Sequence, residues 1–300
     1  MPRVSVVIAT YNSSRVLRCA LQSVCAQTYD DFDVWIVGDA CTDDSAAVVE
    51  AFGDRRLHWV NLPSRVGGQY GPNNEGLRRA SGEFIAYLGH DDLWFPWHLA
   101  SVMAVVDQTG ADFAYGGVVF MGPEGPREVY GNRKERAQVS VSPPSGWLHR
   151  RAIVDTCGPW RPPAVESIGT DVGFQARAFL AGYRFEPSRR VSVLKFPSHW
   201  WTLYARNDYP QETYLGRMRD DVDGLLRDVL NDLVFTYAER CDTPTVTAAL
   251  ARAFRAVERE LGERYGVDRW PLSQYLRWRS ARRRRRALVD RGLAPEGDRA

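Results

Sequence analysis

Val4 to Ala9 is a short apolar, β-branched run, and beyond Asn12-Ser13-Ser14 the residues Val16, Leu17, Ala20, Leu21 and Val24 return at helical spacing. The pattern predicts a strand, a capped loop and a helix. A second β-rich run, Val34 to Val37, ends at Gly38-Asp39, and Asp43-Asp44-Ser45 caps a predicted helix through about Phe52. Leu57 to Leu62 reads as a third strand and Glu75 to Ala80 as a helix closed by Gly82. Phe84 to Leu88 reads as a fourth strand, running into Gly89-His90-Asp91-Asp92. Strands alternating with helices predict an α/β fold, a mostly parallel sheet whose ligands gather beyond the carboxyl ends of its strands. Asp39 and Asp91 both stand there.

Past Pro96 the pattern becomes more mixed: a helix to about Gln108, a strand from Phe113 to Met121, and a turn at Gly122-Pro123-Glu124-Gly125. Gly146 to Ile153 and Arg184 to Val193 are further predicted strands, flanking a helix from about Asp171 to Ala181 that Gly182 ends. Amphipathic stretches from Pro210 through Val234, and from Thr245 to about Tyr265, predict a helical C-terminal annex. The expected division is therefore 1–95, 96–205 and 206–300.

Three hundred residues suffice for a sizeable buried core. A formal charge of +2 argues against nucleic acid as the partner, although basic residues collect near the C-terminus. Cys19, Cys25, Cys41, Cys157 and Cys241 lack paired short spacing, which argues against a disulfide framework or zinc ribbon and for a reducing cytoplasm. Met1-Pro2-Arg3 enters the first strand without a signal-peptide profile, and no apolar run approaches the roughly 20 residues of a membrane span. Trp270, Tyr275 and Trp278 beside the run Arg282 to Arg286 suit an anionic membrane interface; a solvated basic tail is the other reading.

The chemistry concentrates in a few segments. Asp39, after its strand, suits a base imide or a ribose hydroxyl, while Asp43 reads equally as a helix cap. Asp91 and Asp92 offer oxygen ligands of the kind magnesium or manganese take, and such a cation neutralises a diphosphate. No glycine-rich loop follows the first strand, which argues against a dinucleotide-binding dehydrogenase and a nucleotidyltransferase.

Four of these segments, Val4-Ser5-Val6-Val7-Ile8-Ala9-Thr10-Tyr11-Asn12, the Asp39 segment, Ala80 to Leu88, and Asp91-Asp92, come in the order and spacing of family 2 glycosyltransferases. The chain resembles that inverting, GT-A-fold family from residue 1 to about 205. The resemblance implies a nucleoside-diphosphate sugar donor, UDP or dTDP favoured, and a glycan, lipid-linked or small-molecule acceptor. By the same resemblance, Thr10, Tyr11 and Asn12 line the nucleotide pocket, Asp39 contacts the base, and Asp91 binds a divalent metal, Mn2+ or Mg2+. Asp171, in Gly169-Thr170-Asp171, matches the family's general base, with Glu166 the next acid to consider. His199 falls where the family often carries a histidine near the metal, and is equally placed for packing between tryptophans. Trp147 either stacks on an acceptor sugar or fills the core. Gly38, Gly89 and Thr170 replace acids of the family pattern. They support the alternative of a non-catalytic nucleotide-sugar-binding protein of the same fold.

Overall fold

The computed structural model describes residues 1–131, 142–166, 169–201 and 209–242. Nine strands form one sheet in the order β3-β2-β1-β4-β8-β6-β9-β5, with β7 beside β6. Its first part is parallel: β1 (Val4–Thr10) lies between β2 (Phe32–Gly38) and β4 (Phe84–Tyr87), and β3 (Leu57–Asn61) forms the outer edge. The expected parallel character holds through these four strands. Beyond β4 the sheet is mixed. There β8 (Trp147–Arg150) runs antiparallel to β4 and to β6 (Phe113–Gly122), whereas β9 (Phe185–Lys195) runs parallel to β6. The seam between the two parts is short, pairing Phe84, Ile85 and Ala86 with Arg150, His149 and Leu148.

Alternation along β1 decides the layers, because successive strand residues face opposite sides. Val4, Val6 and Ile8 pack with Leu17, Leu21 and Val24 of α1 (Ser14–Cys25), Val48 and Val49 of α2 (Ser45–Glu50), and Leu99, Val102 and Val106 of α4 (His98–Thr109). Val7 faces the other way, with Leu77 of α3 (Tyr70–Arg79), Ile153 of α5 (Ala152–Cys157) and Phe174 of α6 (Thr170–Leu180). A third cluster joins β5 (Leu93–Trp94) and β9 to Met218 of α8 (Pro210–Asp220) and to Leu225, Val229 and Leu233 of α9 (Val222–Asp242); the one-turn α7 (Ser198–Trp201) precedes them. Met1–Thr236 is one compact unit and Tyr237–Ala300 a second. The predicted helix from Thr245 and the aromatic and arginine-rich tail lie outside the described residues. Among the described residues no helix is long and apolar enough to cross a membrane.

Three strand and helix limits differ from the sequence pattern. Helix α3 begins at Tyr70, five residues before the expected start, because Pro72 sits in the first turn where its missing N–H is not needed. Gly76, inside that helix, lets it press against β1: a Cβ there would strike the Val7 side chain. The strand expected at Gly146 to Ile153 ends at Arg150, and its last residue belongs to α5. Gly122 to Gly125 do turn the chain, but into β7 (Gly125–Tyr130), a hairpin partner of β6.

Candidate nucleotide-binding pocket

A cavity of about 290 Å³ opens beyond the carboxyl ends of β1 and β4, lined by Thr10, Tyr11, Asp39, Arg65, Asp91 and Lys195 among others. Since β2 and β4 flank β1, the Asp39 and Asp91 loops stand two strand spacings apart, about 10 Å. That separation suits a nucleoside laid with its base at one end and its phosphates at the other. Thr10, on the floor, is 3% exposed, and its Oγ1 has no hydrogen-bond partner. A buried hydroxyl in that state lacks a partner that a ligand supplies.

At one end, Asp39 is 4% exposed and accepts hydrogen bonds from Val66 N–H at 2.7 Å and Gly67 N–H at 2.8 Å. The carboxylate thereby fixes the loop after β3 across the pocket. Arg65 of that loop lies 4.0 Å over the Tyr11 ring, a cation–π stack at the wall of the cavity. Gly38 has a steric cause: a Cβ would come within 2.5 Å of Asn61 Oδ1. The Asn61 amide fills that space, accepting from Cys41 N–H at 2.8 Å and donating to Cys41 O at 2.9 Å.

At the other end a chain of hydrogen bonds holds the loop after β4. Gly89 N–H donates to Ser145 Oγ at 3.0 Å, and Ser145 donates to Asp92. Asp92, wholly buried, also accepts from Lys195 Nζ at 2.9 Å and Phe196 N–H at 3.1 Å. Burial pushes the Asp92 carboxyl up against the pull of this ammonium and of Ser145. Burial opposes the Lys195 charge too, but Asp92 and then Asp91 hold the lysine above its ordinary value, keeping it cationic. Asp91 lines the cavity beside them. A Cβ on Gly89 would lie 2.7 Å from Asp92 Oδ2 and 3.1 Å from Asp91 Oδ1, so a side chain there would displace these two carboxylates.

The N-terminus of α6 abuts the pocket, for Gln69 donates its amide to Thr170 Oγ1 at 3.3 Å. The helix starts at Thr170, is preceded by Gly169 with φ 102, and has no side-chain cap. Asp171, in its first turn, is partly exposed and acts electrostatically on Lys195. Glu166 is engaged elsewhere, paired with Arg177 and lying 3.9 Å from Arg161.

Thr10, Tyr11, Asp39 and Asp91 all line this one cavity. One expectation is corrected and one open alternative is decided. Asn12 does not line it: its Oδ1 accepts from Thr42 N–H at 2.8 Å and its Nδ2 donates to Thr42 Oγ1 at 3.3 Å, tying two loops together. Trp147 offers no face to a sugar, being 0% exposed among Tyr87, Phe113 and Trp160 and donating its indole N–H to Ser142 O at 2.7 Å. The His199 side chain lies outside the described residues. Among the described residues no three His, Cys, Asp or Glu side chains gather to hold a metal by themselves. With Asp92 sequestered, Asp91 is, among the described residues, the carboxylate at this end of the cavity, which fits a hard cation held jointly with a ligand's phosphates. Lys195 was missed. Its signal is compositional: Lys134 and Lys195 are the only lysines among 39 basic residues.

Comparison with known proteins bears on the family and the fold. The family model described as glycosyl transferase family 2 matches residues 5–155, just over half the chain. An uncharacterized glycosyltransferase of Nostoc sp. is 36% identical over 104 residues, which cover 34% of this chain and 32% of that one. UDP-Glc:alpha-D-GlcNAc-diphosphoundecaprenol beta-1,3-glucosyltransferase WfgD of Escherichia coli is 29% identical over 113 residues, covering 38% of this chain and 44% of that one. The chain therefore spans less than half the length of these relatives. Among solved structures, S. aureus TarS in complex with UDP-GlcNAc shares the fold, with a TM-score of 0.59 at 22% identity over 71% of this chain and 63% of that one. The mannosyltransferase PcManGT of Pyrobaculum calidifontis, in complex with GDP-Man and Mn2+, gives a TM-score of 0.52 at 18% identity, covering 92% and 85%.

Proposed function

Because the chain belongs to glycosyl transferase family 2, we propose that it moves a sugar from a nucleoside-diphosphate donor to an acceptor hydroxyl with inversion. The observation that carries the reading is the single cavity joining the Tyr11–Arg65 stack, the unpartnered Thr10 hydroxyl and Asp91, with Asp171 at the adjoining helix start. The base lies against the stack and the diphosphate near Asp91. A divalent cation held by Asp91 together with the donor's phosphates supplies charge to the departing diphosphate when bound. Asp171 orients the acceptor hydroxyl and takes its proton late, as the new bond forms, because a carboxylate is a weak base toward an alcohol. Attack on the face opposite the leaving group inverts the anomeric centre.

A UDP-sugar is the favoured donor and a lipid-linked diphosphate the favoured acceptor, in keeping with the activities named for WfgD and for the Campylobacter jejuni relative, GalNAc(5)-diNAcBac-PP-undecaprenol beta-1,3-glucosyltransferase. The donor half of the reading is tested by thermal unfolding. A ligand at one hundred times its Kd adds about 2.7 kcal/mol, so UDP with manganese is expected to raise Tm by about 5 °C or more. An unchanged midpoint with UDP, dTDP and GDP alike would refute the nucleotide site.

A further inference from the structure

Resting on that reading, we propose that Lys195 is a donor-binding residue whose ammonium takes a phosphate of the nucleoside diphosphate directly, beside any cation on Asp91, so that the pocket still holds the diphosphate when no divalent cation is present. An ammonium has three donors and no acceptor. Here one donor reaches Asp92 Oδ2 at 2.9 Å, while the side chain keeps 24% of its surface and lines the cavity beside Gly89 and Asp91. The remaining donors are left for a ligand at the end where the phosphates lie.

Residue usage points the same way. Arginine serves nearly everywhere in this chain, yet position 195 is lysine. A compact ammonium turns between a buried carboxylate and a ligand oxygen in a space that a planar guanidinium does not share. The acids have also been thinned. Gly89 brings no carboxylate and a side chain there would crowd Asp91 and Asp92, while Asp92 is covered by Lys195, Ser145 and Phe196 N–H. Asp91 is the carboxylate left facing the phosphates, and without a cation on it, it repels them.

The experiment is calorimetric titration of the tightest-binding of UDP, dTDP and GDP, and of its nucleoside, in manganese and in excess chelator. The proteins are the wild type, Lys195→Met, Asp91→Asn and the double variant Lys195→Met with Asp92→Asn, which removes both members of the buried pair. In chelator the wild type is expected to bind the diphosphate at least tenfold more tightly than the nucleoside. Lys195→Met is expected to weaken the diphosphate by about 10–100-fold and leave the nucleoside unchanged. The double variant repeats that loss, which sets aside an unpaired Asp92 as its cause. Asp91→Asn tightens diphosphate binding in chelator and weakens it in manganese, since the same carboxylate is repulsive bare and attractive under a cation. Equal diphosphate affinity in chelator for wild type and double variant overturns the role of Lys195. So does a wild type that prefers the diphosphate only when manganese is present. If the wild type binds neither nucleoside nor diphosphate under any condition, the functional reading itself falls.

Discussion

Asp171 and Glu166 stand five positions apart, and their surroundings assign them different work. Glu166 neutralises arginines and stabilises the approach to α6, whereas Asp171 does not cap that helix and remains partly exposed. Asp171→Asn is therefore expected to fold normally and to bind donor as the wild type does, while turnover falls by about two to four orders of magnitude, the usual worth of a general base. Steady-state rates beside a donor titration check this; wild-type turnover in a folded variant would move the base elsewhere. The acids were legible because they sit in ordered, spaced segments. Lys195 was not, since a single lysine after a strand has no local pattern, and it meets Asp92 only once β9 has crossed the sheet. Trp147 was undecided for a similar reason: an indole suits a sugar face and a core equally, and only its neighbours choose.

At the scale of elements, the sequence was most legible where a pattern repeats locally. Strands β1, β2 and β4 match their apolar runs to within two residues at each end. The misses are elements made by tertiary contact. Two-residue β5 exists because β9 pairs with it, and β7 because β6 offers an edge. Two buried histidines, one on α4 and one on β8, add a pH dependence that no motif announces. His98 faces Ser192 Oγ at 2.8 Å, and burial pushes it down to about 3. His149 donates Nδ1–H to Arg150 O and lies 3.2 Å from the Tyr87 hydroxyl; burial pushes it down to about 4, against that backbone bond. Each folded value lies below the unfolded one of about 6.5, so below pH 6.5 the unfolded chain binds protons that the native chain refuses. Stability is then lost by about 1.4 kcal/mol per pH unit per histidine, roughly 4 kcal/mol for the pair at pH 5. Carboxylates such as Asp54, held down to about 2 by Arg56, join only at lower pH. Urea midpoints between pH 7 and pH 5 should show this slope, and His98→Asn should roughly halve it; a flat profile would mean that the histidines find other partners.

At the scale of the molecule, the alternation of strands and helices made the parallel quartet readable, while the mixed half was foreseen only as a change of pattern. The physical reason is that antiparallel neighbours such as β8 and β6 are separated by chain whose local sequence carries no mark of its partner. One consequence follows from the three-residue seam between β4 and β8. Most residues lining the cavity come from the first 95 positions, which invites cutting the chain there. The cut would leave Phe84-Ile85-Ala86-Tyr87 as a bare sheet edge, four buried and largely apolar residues with open N–H and C=O groups, together with the unpacked Val7 face. Such an edge recruits another like it. A fragment of residues 1–95 is thus expected to form large oligomers in size-exclusion chromatography at concentrations where the whole chain elutes as a compact species. The residues proposed to gather the nucleotide are expected to depend for their solubility on a strand supplied some sixty positions later, and a soluble, monomeric fragment would show that they do not.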